Sequence, residues 1–282
     1  MFDRRSKNVE IFKDSMKWVK ENEKLQKTLT ESMAGQKLYL EDDSIEVLST
    51  FSKKTELKVV VSKKRSFEAA SEYARAGKKV CVLNFASATN PGGGVTHGSS
   101  AQEEALCRCS TLYPCLNTKK FGNDFYGPHR KANNPLYNND CIYTPGVVVF
   151  KSDTSFPERM KEEDWYSVDI ITCAAPNLRE RPSNAMNPNA GTHAAKVTKD
   201  GLLELLEKRI ERIFAIAAQN GAEVLILGAF GCGAFCNPPE IVAKAFVTVQ
   251  EKYSGCFEAI EYAIYCRDYE TANYDEFCRK MK

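Results

Sequence analysis

The most constraining feature of this sequence is a short apolar run, Val80-Cys81-Val82-Leu83-Asn84-Phe85. Its apolar side chains do not alternate with polar ones, so the strand that it predicts must be covered on both faces. A second run of this kind, Val224-Leu225-Ile226-Leu227, follows later in the chain. Strands buried on both faces are typical of parallel sheets, whose two faces are covered by helices.

The rest of the chain alternates between predicted strands and predicted helices. Further strands are expected at residues 57–61, 147–150, 168–173 and 260–265. Helices are expected at 66–76, with Ser66 as N-cap and Gly77 closing the helix, at 101–112, at 200–220, and from Pro238 or Pro239 onward. Residues 122–140 and 176–192 are expected to be loops, and the chain after residue 265 a polar tail. This order predicts an α/β fold with a mixed, largely parallel sheet between helices.

The N-terminal region has a different pattern. Residues 8–29 are charged, with apolar side chains such as Phe12, Met16 and Val19 at roughly helical spacing, which predicts one helix. No Ser-, Gly- or Pro-rich linker divides the chain. We therefore expect a single structural unit in which residues 1–55 form a helical extension packed on a core of residues 56–282.

Charge and hydropathy exclude several classes of protein. The 39 Lys and Arg residues nearly balance the 37 Asp and Glu residues, so no global positive field favours sequence-specific nucleic-acid binding. No apolar run approaches the roughly 18 residues of a membrane helix, and the N-terminus does not resemble a secretory signal. We expect a cytoplasmic monomer without a membrane partner, which would bind any anionic ligand at a local site.

The 11 cysteines raise the question of a metal site. Their odd number and scattered positions favour reduced thiols over a disulfide framework. Cys107-x-Cys109 and Cys232-x3-Cys236 lack a second ligand pair at zinc-ribbon spacing, and the chain has only three histidines. We expect neither a metal nor another cofactor.

Two predicted strands run directly into glycine-rich loops. The first glycine loop spans residues 84–94 and ends in Asn90-Pro91-Gly92-Gly93-Gly94; the second spans residues 228–235, Gly-Ala-Phe-Gly-Cys-Gly-Ala-Phe. Glycine lets the backbone approach a ligand and accepts positive φ angles, and backbone amides before a helix bind phosphate. Neither loop has the Gly-Lys-Ser/Thr ending of a P-loop. The two loops are either tight turns or a shared site for the two phosphates of a diphosphate.

Acidic residues follow the first glycine loop, in the triplet Gln102-Glu103-Glu104. Acidic residues favour the first turn of a helix because they complement its dipole, and that alone would explain them. Their place beside the expected phosphate pocket also makes them candidates for catalysis. Because successive helical residues diverge by about 100°, Glu103 and Glu104 must have different roles.

The combined motif resembles that of microbial-type poly(ADP-ribose) glycohydrolases. The resemblance rests on the first glycine loop, on Gln102-Glu103-Glu104 with the following Leu106-Cys107-Arg108-Cys109, and on the second glycine loop with Asn237-Pro238-Pro239. It implies a macrodomain-like three-layer α/β/α fold that holds ADP-ribose in a surface cleft. More loosely, it extends from the N-terminal helix to the last strand.

The resemblance also implies roles for individual residues. Glu104 would be the catalytic residue, and Glu103 would hold the ribose beside the scissile bond. Both glycine loops would bind ribose and diphosphate, through Gly92, Gly93, Gly94 and Gln102 in one case and Gly231, Cys232, Gly233, Ala234 and Phe235 in the other. Asn84 and Asn90 would contact the ribose or orient the first loop.

The resemblance also implies the reaction: hydrolysis of the ribose–ribose bonds of poly(ADP-ribose), free or attached to protein, from chain ends. Two adjacent residues of one helix cannot lie on opposite faces of a sugar, as the carboxyl pair of most glycosidases does. We therefore expect Glu104 to act twice, as acid toward the leaving 2′-hydroxyl and then as base toward water.

Three alternatives stay open at the level of sequence. One is removal of single ADP-ribose groups from protein or nucleic acid, and another is a macrodomain that binds ADP-ribose without cleaving it. The third is a cysteine nucleophile, Cys107 or Cys232, acting with His97, although no third group is evident to orient that pair.

Overall fold

The structure, a computed structural model, describes residues 3–46, 56–183 and 188–281. Its strands are β1 (Lys37–Tyr39), β2 (Lys58–Ser62), β3 (Val80–Phe85), β4 (Cys141–Val149), β5 (Tyr166–Cys173), β6 (Val224–Leu227) and β7 (Ala259–Ala263). Its helices are α1 (Arg4–Glu21), α2 (Glu23–Ala34), α3 (Ser66–Arg75), α4 (Gln102–Cys109), α5 (Leu112–Leu116), α6 (Lys119–Phe121), α7 (Gly127–Ala132), α8 (Lys199–Gln219), α9 (Pro239–Lys252) and α10 (Ala272–Lys280).

Within these residues the strands form one sheet in the order β1-β4-β5-β3-β6-β7-β2. The five strands from β5 to β2 run parallel to one another, whereas β4 is antiparallel to both β5 and β1. The apolar runs of the sequence are β3 and β6, at the centre of the sheet. The predicted mixed, largely parallel sheet is confirmed.

Helices cover both faces of the sheet. Successive residues of a central strand therefore alternate between two hydrophobic cores, one on each face. Cys81 and Leu83 of β3 pack with α8, α9 and α10 on one face, whereas Val80 and Val82 pack with α1, α3 and α4 on the other. A large apolar side chain that is fully buried in such a core stabilises the fold by about 1.5–3 kcal/mol. The three-layer α/β/α arrangement is therefore also as predicted.

The N-terminal region differs in detail from its prediction. The single helix expected at residues 8–29 is two helices, because the chain breaks at Asn22, whose side chain accepts the Leu25 amide and caps α2. The region is not wholly helical, since β1 pairs with the edge strand β4. The predicted boundary between residues 55 and 56 lies at the edge of the segment 47–55, outside the described residues.

Contacts over long sequence distances hold α1 on the core. The buried Asn8 side chain donates to the Gly98 carbonyl (2.9 Å), and Ser15 Oγ donates to the Arg108 carbonyl of α4 (2.6 Å). Lys151, 2% exposed, bridges Asp14 (2.7 Å) and the Ile11 carbonyl (3.0 Å). The Ser15 bond joins α1 directly to α4, the helix that carries both glutamates, and the others fix α1 to segments on either side of α4.

Three local predictions were wrong. Residues 122–132, expected to be a loop, form a π-helical turn and α7. The expected polar tail contains α10, whose Phe277 is fully buried against α9 and β7. Ser66 is the first helical residue of α3, and the N-cap is Arg65, whose amide donates to Glu68.

No helix in the described ranges is long and apolar enough to cross a membrane.

Candidate active site

The two glycine loops meet at one edge of the sheet. Because β3 and β6 are parallel neighbours, with Val82 opposite Ile226, the loops after them emerge at the same carboxyl end. A cavity of about 790 Å³ opens there. Its walls come from both loops, the start of α4, and residues of α1 and α10.

The start of α4 is fixed to the sheet by Gln102. Its Oε1 accepts the Phe85 amide (2.9 Å), and its Nε2 donates to the Leu83 carbonyl (2.8 Å) and to Ser66 Oγ (3.0 Å). These bonds tie α4 to β3 and α3 at once. Gln102 lines the cavity, but its amide is engaged by the protein, so it positions the two residues that follow.

Glu103 is nearly inaccessible, at 3% exposure. Its Oε2 accepts the Ser87 amide at 2.7 Å, and its Oε1 accepts the Asn84 side-chain amide at 3.4 Å. Burial, and after it the negative charge of Glu104, raise the pKa of Glu103 well above its usual range, although the Ser87 and Gly92 amides act in the opposite direction. Its protonated form is therefore favoured more than that of an ordinary glutamate.

Glu104 is held by one oxygen and not by the other. Its Oε1 accepts the Gly94 amide at 2.8 Å. Its Oε2 is buried and has no hydrogen-bond partner among the described residues. A buried carboxyl oxygen without a partner is energetically costly. This atom is therefore suited to carry a proton or to meet a ligand in the cavity.

The first glycine loop lies directly against both carboxyl groups. Gly93 has φ +57°, and a Cβ there would lie 2.5 Å from Glu104 Oε1 and 3.1 Å from Glu103 Oε2, so a side chain would displace them. The Gly93 amide donates to the Asn90 carbonyl (3.0 Å), and the Gly92 and Gly94 amides donate to Glu103 and Glu104. In one of the two interpretations that the sequence leaves open, these amides face a phosphate. In the structure they are engaged within the protein, because two buried carboxyl groups need donors.

The second glycine loop is built differently. Gly231 has φ +75°, and a Cβ there would lie 2.5 Å from both Ala175 Cβ and Asn237 Nδ2, so the close packing requires glycine. Asn237 Nδ2 donates to the carbonyls of Pro176 (2.7 Å) and Gly231 (3.2 Å) and holds the loop in place. Within the described ranges, no acceptor meets the amides of Gly231, Gly233, Ala234 and Phe235. Successive amides of this kind bind anions.

The site thus combines an acid with an anion-binding loop. Glu104 presents an oxygen without a protein partner, and the second glycine loop presents four free amides on the wall of the same cavity. Such a site can hold a phosphorylated sugar by its phosphates and protonate a bond of that sugar.

Comparison with known proteins supports this interpretation. Residues 7–152 match the sequence model for the catalytic domain of microbial-type PARG, poly(ADP-ribose) glycohydrolase. The matched segment is more than half of the chain and contains the first glycine loop and both glutamates. The chain belongs to this family.

Solved structures of bacterial poly(ADP-ribose) glycohydrolases resemble this PARG-family chain over most of its length. The enzyme from Thermomonospora curvata is 28% identical, with a TM-score of 0.82 over 98% of this chain and 100% of that chain. The same enzyme bound to the inhibitor ADP-HPD gives a TM-score of 0.80 with the same identity and coverage. The enzyme from Deinococcus radiodurans in complex with ADP-ribose is 29% identical, with a TM-score of 0.74 over 90% of this chain and 96% of that chain. A sequence search of curated proteins gave no match.

Most of the predicted site residues line the cavity: Asn90, Gly93, Gly94, Gln102, Glu103, Glu104, Gly231, Gly233, Ala234 and Phe235. The other three, Asn84, Gly92 and Cys232, are not part of its lining. Asn84 is fully buried and donates to Glu103 and to Thr172 Oγ1 (3.2 Å), so it orients a glutamate from behind. The Phe235 ring packs 6.1 Å from the Tyr137 ring, and the Phe235 carbonyl accepts the Leu178 amide (2.9 Å).

The structure adds residues that the sequence did not indicate. Asp153 lines the cavity, and burial raises the pKa of its carboxyl group; its Oδ2 accepts the Phe67 amide at the start of α3 (3.0 Å). Arg4, Arg5 and Arg179 also line the cavity. No local motif marks these residues, because they come from elements that are distant in sequence and meet only by packing.

The cysteines do not form an evident second centre. No group of three or more metal-ligating side chains occurs within the ranges that the structure describes. Cys107 is fully buried, and burial, followed by the charges of Glu103 and Glu104, raises its thiol pKa far above the usual range. Burial likewise raises the pKa of Cys232 to about 12. Both thiols are poor nucleophiles, since the thiolate is the reactive form.

Proposed function

We propose that this protein hydrolyses the ribose–ribose O-glycosidic bonds of poly(ADP-ribose) and releases ADP-ribose from chain ends. Membership of the PARG family supports the activity, and so does similarity to enzymes solved with ADP-ribose and with the inhibitor ADP-HPD. The observation that carries the mechanism is local. Glu104 is fixed through Oε1, while its Oε2 has no partner in the described chain, beside a loop with free amides.

The terminal ADP-ribose unit would be held mainly by the second glycine loop. Its free amides match the two phosphates of the diphosphate, and Phe235 would pack against the adjoining ribose. Glu103 would hydrogen-bond the ribose hydroxyls and keep the scissile bond next to Glu104. The first glycine loop would touch the ribose with its backbone while its amides hold both carboxyl groups.

Cleavage would use one carboxyl group twice. Glu104 Oε2 donates its proton to the 2′-oxygen as the bond from that oxygen to the anomeric carbon breaks, leaving an oxocarbenium-like ribose and a free 2′-hydroxyl. Water then adds to the anomeric carbon and gives its proton to Glu104, which restores the acid. Neither step requires a metal or a redox cofactor.

The decisive experiment compares Glu104→Gln with Glu103→Gln. Glutamine keeps the size of Glu104 but can neither donate the proton nor accept one from water, so we expect kcat on poly(ADP-ribose) to fall at least about a hundredfold. The dissociation constant for ADP-ribose, measured by calorimetry, should change little. Glu103→Gln is the matched control, with a loss that includes weaker substrate binding because the ribose is misplaced.

The alternatives give different results in the same experiment. Normal turnover by Glu104→Gln would contradict the mechanism. A protein that only binds ADP-ribose would show no wild-type turnover on any ADP-ribosylated substrate. Faster release from singly modified proteins than from polymer would favour a mono-ADP-ribosyl hydrolase. A cysteine enzyme would lose activity through Cys107→Ser or Cys232→Ser instead.

Several finer points stay predictions from the sequence and from its family resemblance. They are cleavage from chain ends, a monomeric state, action in the cytoplasm, and substrate attached to protein. Analytical ultracentrifugation and product analysis on end-labelled polymer would test the first two.

A further inference from the structure

Two arginines of α1, Arg4 and Arg5, line the same cavity as the glutamates. Both residues are exposed, and neither guanidinium forms a hydrogen bond or ion pair with any residue that the structure describes. Other arginines nearby are engaged. Arg65 stacks 3.9 Å above the Tyr265 ring, and Arg108 donates to the Ser99 carbonyl (2.6 Å). The charge of Arg5 also acts on the Asp3 carboxyl group, but both guanidinium groups keep their hydrogen-bond donors available to a ligand.

The position of these arginines is fixed by the fold. Asn8 donates to the Gly98 carbonyl, and a Cβ on Gly98, where φ is +77°, would overlap the Arg5 carbonyl oxygen. The backbone of α1 thus rests directly on Gly98. The segment 98–101 then leads without a break into α4 and Glu104.

The second glycine loop is attached to a different wall. Asn237 and the Phe235 carbonyl bind it to residues 176–178, where Arg179 also reaches the cavity. The cavity therefore has two anion-binding regions on separate elements. One consists of backbone amides next to Arg179, and the other of two free guanidinium groups next to segment 98–101.

This division matches the chemistry of a bond between two ADP-ribose units, because each unit carries its own diphosphate. We propose that Arg4 and Arg5 bind the diphosphate of the leaving unit, the one that regains its 2′-hydroxyl on cleavage. The proposal rests on the function proposed above and makes the substrate more specific. Guanidinium groups bind phosphate through paired, charge-assisted hydrogen bonds, so the enzyme favours a chain over a single ADP-ribose group on an uncharged acceptor.

The test uses two substrates that share the scissile bond. In one, ADP-ribose is linked to the 2′-oxygen of a second ADP-ribose; in the other, it is linked to the 2′-oxygen of adenosine, which has no phosphate. The double variant Arg4→Gln/Arg5→Gln should lower kcat/KM about tenfold on the first substrate, in line with the loss of charge-assisted contacts. It should leave kcat/KM on the second substrate, and the dissociation constant of ADP-ribose, unchanged.

The matched control is Lys13→Gln/Lys20→Gln, which removes the same charge from exposed positions on the same helix, away from the cavity lining. It should behave like wild type on both substrates. Equal losses on the two substrates, or no loss on the first, would overturn the proposal.

Binding separates this proposal from the proposed function. In a Glu104→Gln background, the dissociation constants of both substrates can be measured without turnover. The arginine substitutions should weaken binding of the first substrate and leave binding of the second unchanged. If the arginine variant binds the first substrate as tightly as its Glu104→Gln parent does, the proposal is overturned even if the wild type is active. If the wild type hydrolyses neither substrate, the proposed function fails, while this binding comparison still decides the role of the arginines.

Discussion

The first and second glycine loops follow neighbouring parallel strands and border one cavity, yet their backbone amides are used differently. In the first loop, the amides of Gly92, Gly93 and Gly94 are bound by Glu103, the Asn90 carbonyl and Glu104. In the second loop, four amides have no acceptor within the described chain. One loop therefore positions the carboxyl groups, and the other is free to bind an anion.

The difference shows why glycine alone does not identify a phosphate site. Gly93 is required because the backbone must pass beside two carboxyl oxygens, and Gly231 because it packs against Ala175 and Asn237. Both are positions of positive φ and close contact. What separates the loops is the neighbour of each amide: a buried helix start with two acids in the first case, and an open cavity in the second.

The largest expected effect comes from adding one methyl group to the first loop. In Gly93→Ala the new Cβ would lie 2.5 Å from Glu104 Oε1, so the carboxyl group must move. We expect kcat to fall about a hundredfold, as displacements near 1 Å can cause, with a smaller change in ADP-ribose binding. Gly233→Ala is the control, because no atom lies within 4 Å of its added Cβ. Similar losses of kcat in the two variants would remove the distinction between the loops.

A smaller effect is expected from the two buried asparagines, one for each loop. Asn237→Ala removes the bonds to Pro176 and Gly231 that hold the second loop, so ADP-ribose should bind about tenfold more weakly. ADP-ribose should therefore also raise the melting temperature of Asn237→Ala less than that of the wild type. Asn84→Ala, which frees Glu103 instead, should mainly lower kcat. Calorimetry and steady-state kinetics separate these outcomes, and a reversed pattern would contradict the assignment.

A third effect concerns pH and stability. Because the pKa of Glu103 is raised above its ordinary value of 4.5, folded protein keeps a proton that unfolded protein loses. The contribution of Glu103 to stability is therefore complete below pH 4.5 and is lost as pH rises toward the folded-state pKa. In that interval the free energy of unfolding should fall, relative to Glu103→Gln, by up to about 1.4 kcal/mol per pH unit. Urea unfolding of both proteins across this range tests it, and parallel pH profiles would exclude the raised pKa.

No effect is expected from the removal of metal ions. Prolonged chelator treatment should leave turnover and melting temperature unchanged, since the proposed mechanism uses only carboxyl groups and backbone amides. If turnover or melting temperature falls and is restored by zinc or magnesium, the site requires a metal ion that is bound by residues outside both loops.

Features with local causes could be predicted from the sequence. The apolar runs that became β3 and β6 must be buried on both faces, and the long amphipathic pattern of α8 was predicted to within a residue of its observed bounds, Lys199–Gln219. The glycine loops and the acidic triplet are contiguous motifs, so their place at the strand ends followed from the order of elements. Their resemblance to one family was confirmed.

Features that depend on neighbours distant in sequence could not be predicted. The helix α10 looked like a polar tail because Phe277 is its one fully buried residue, and it packs against α9 and β7. Asp153, Arg4 and Arg5 reach the cavity only because α1 and the segment after β4 pack around α4. The same holds for the first glycine loop: its glycines are written in the sequence, but the acceptors of its amides are set by where α4 lies. A hydrogen bond forms only between groups that are close in space, and tertiary packing alone decides which groups those are.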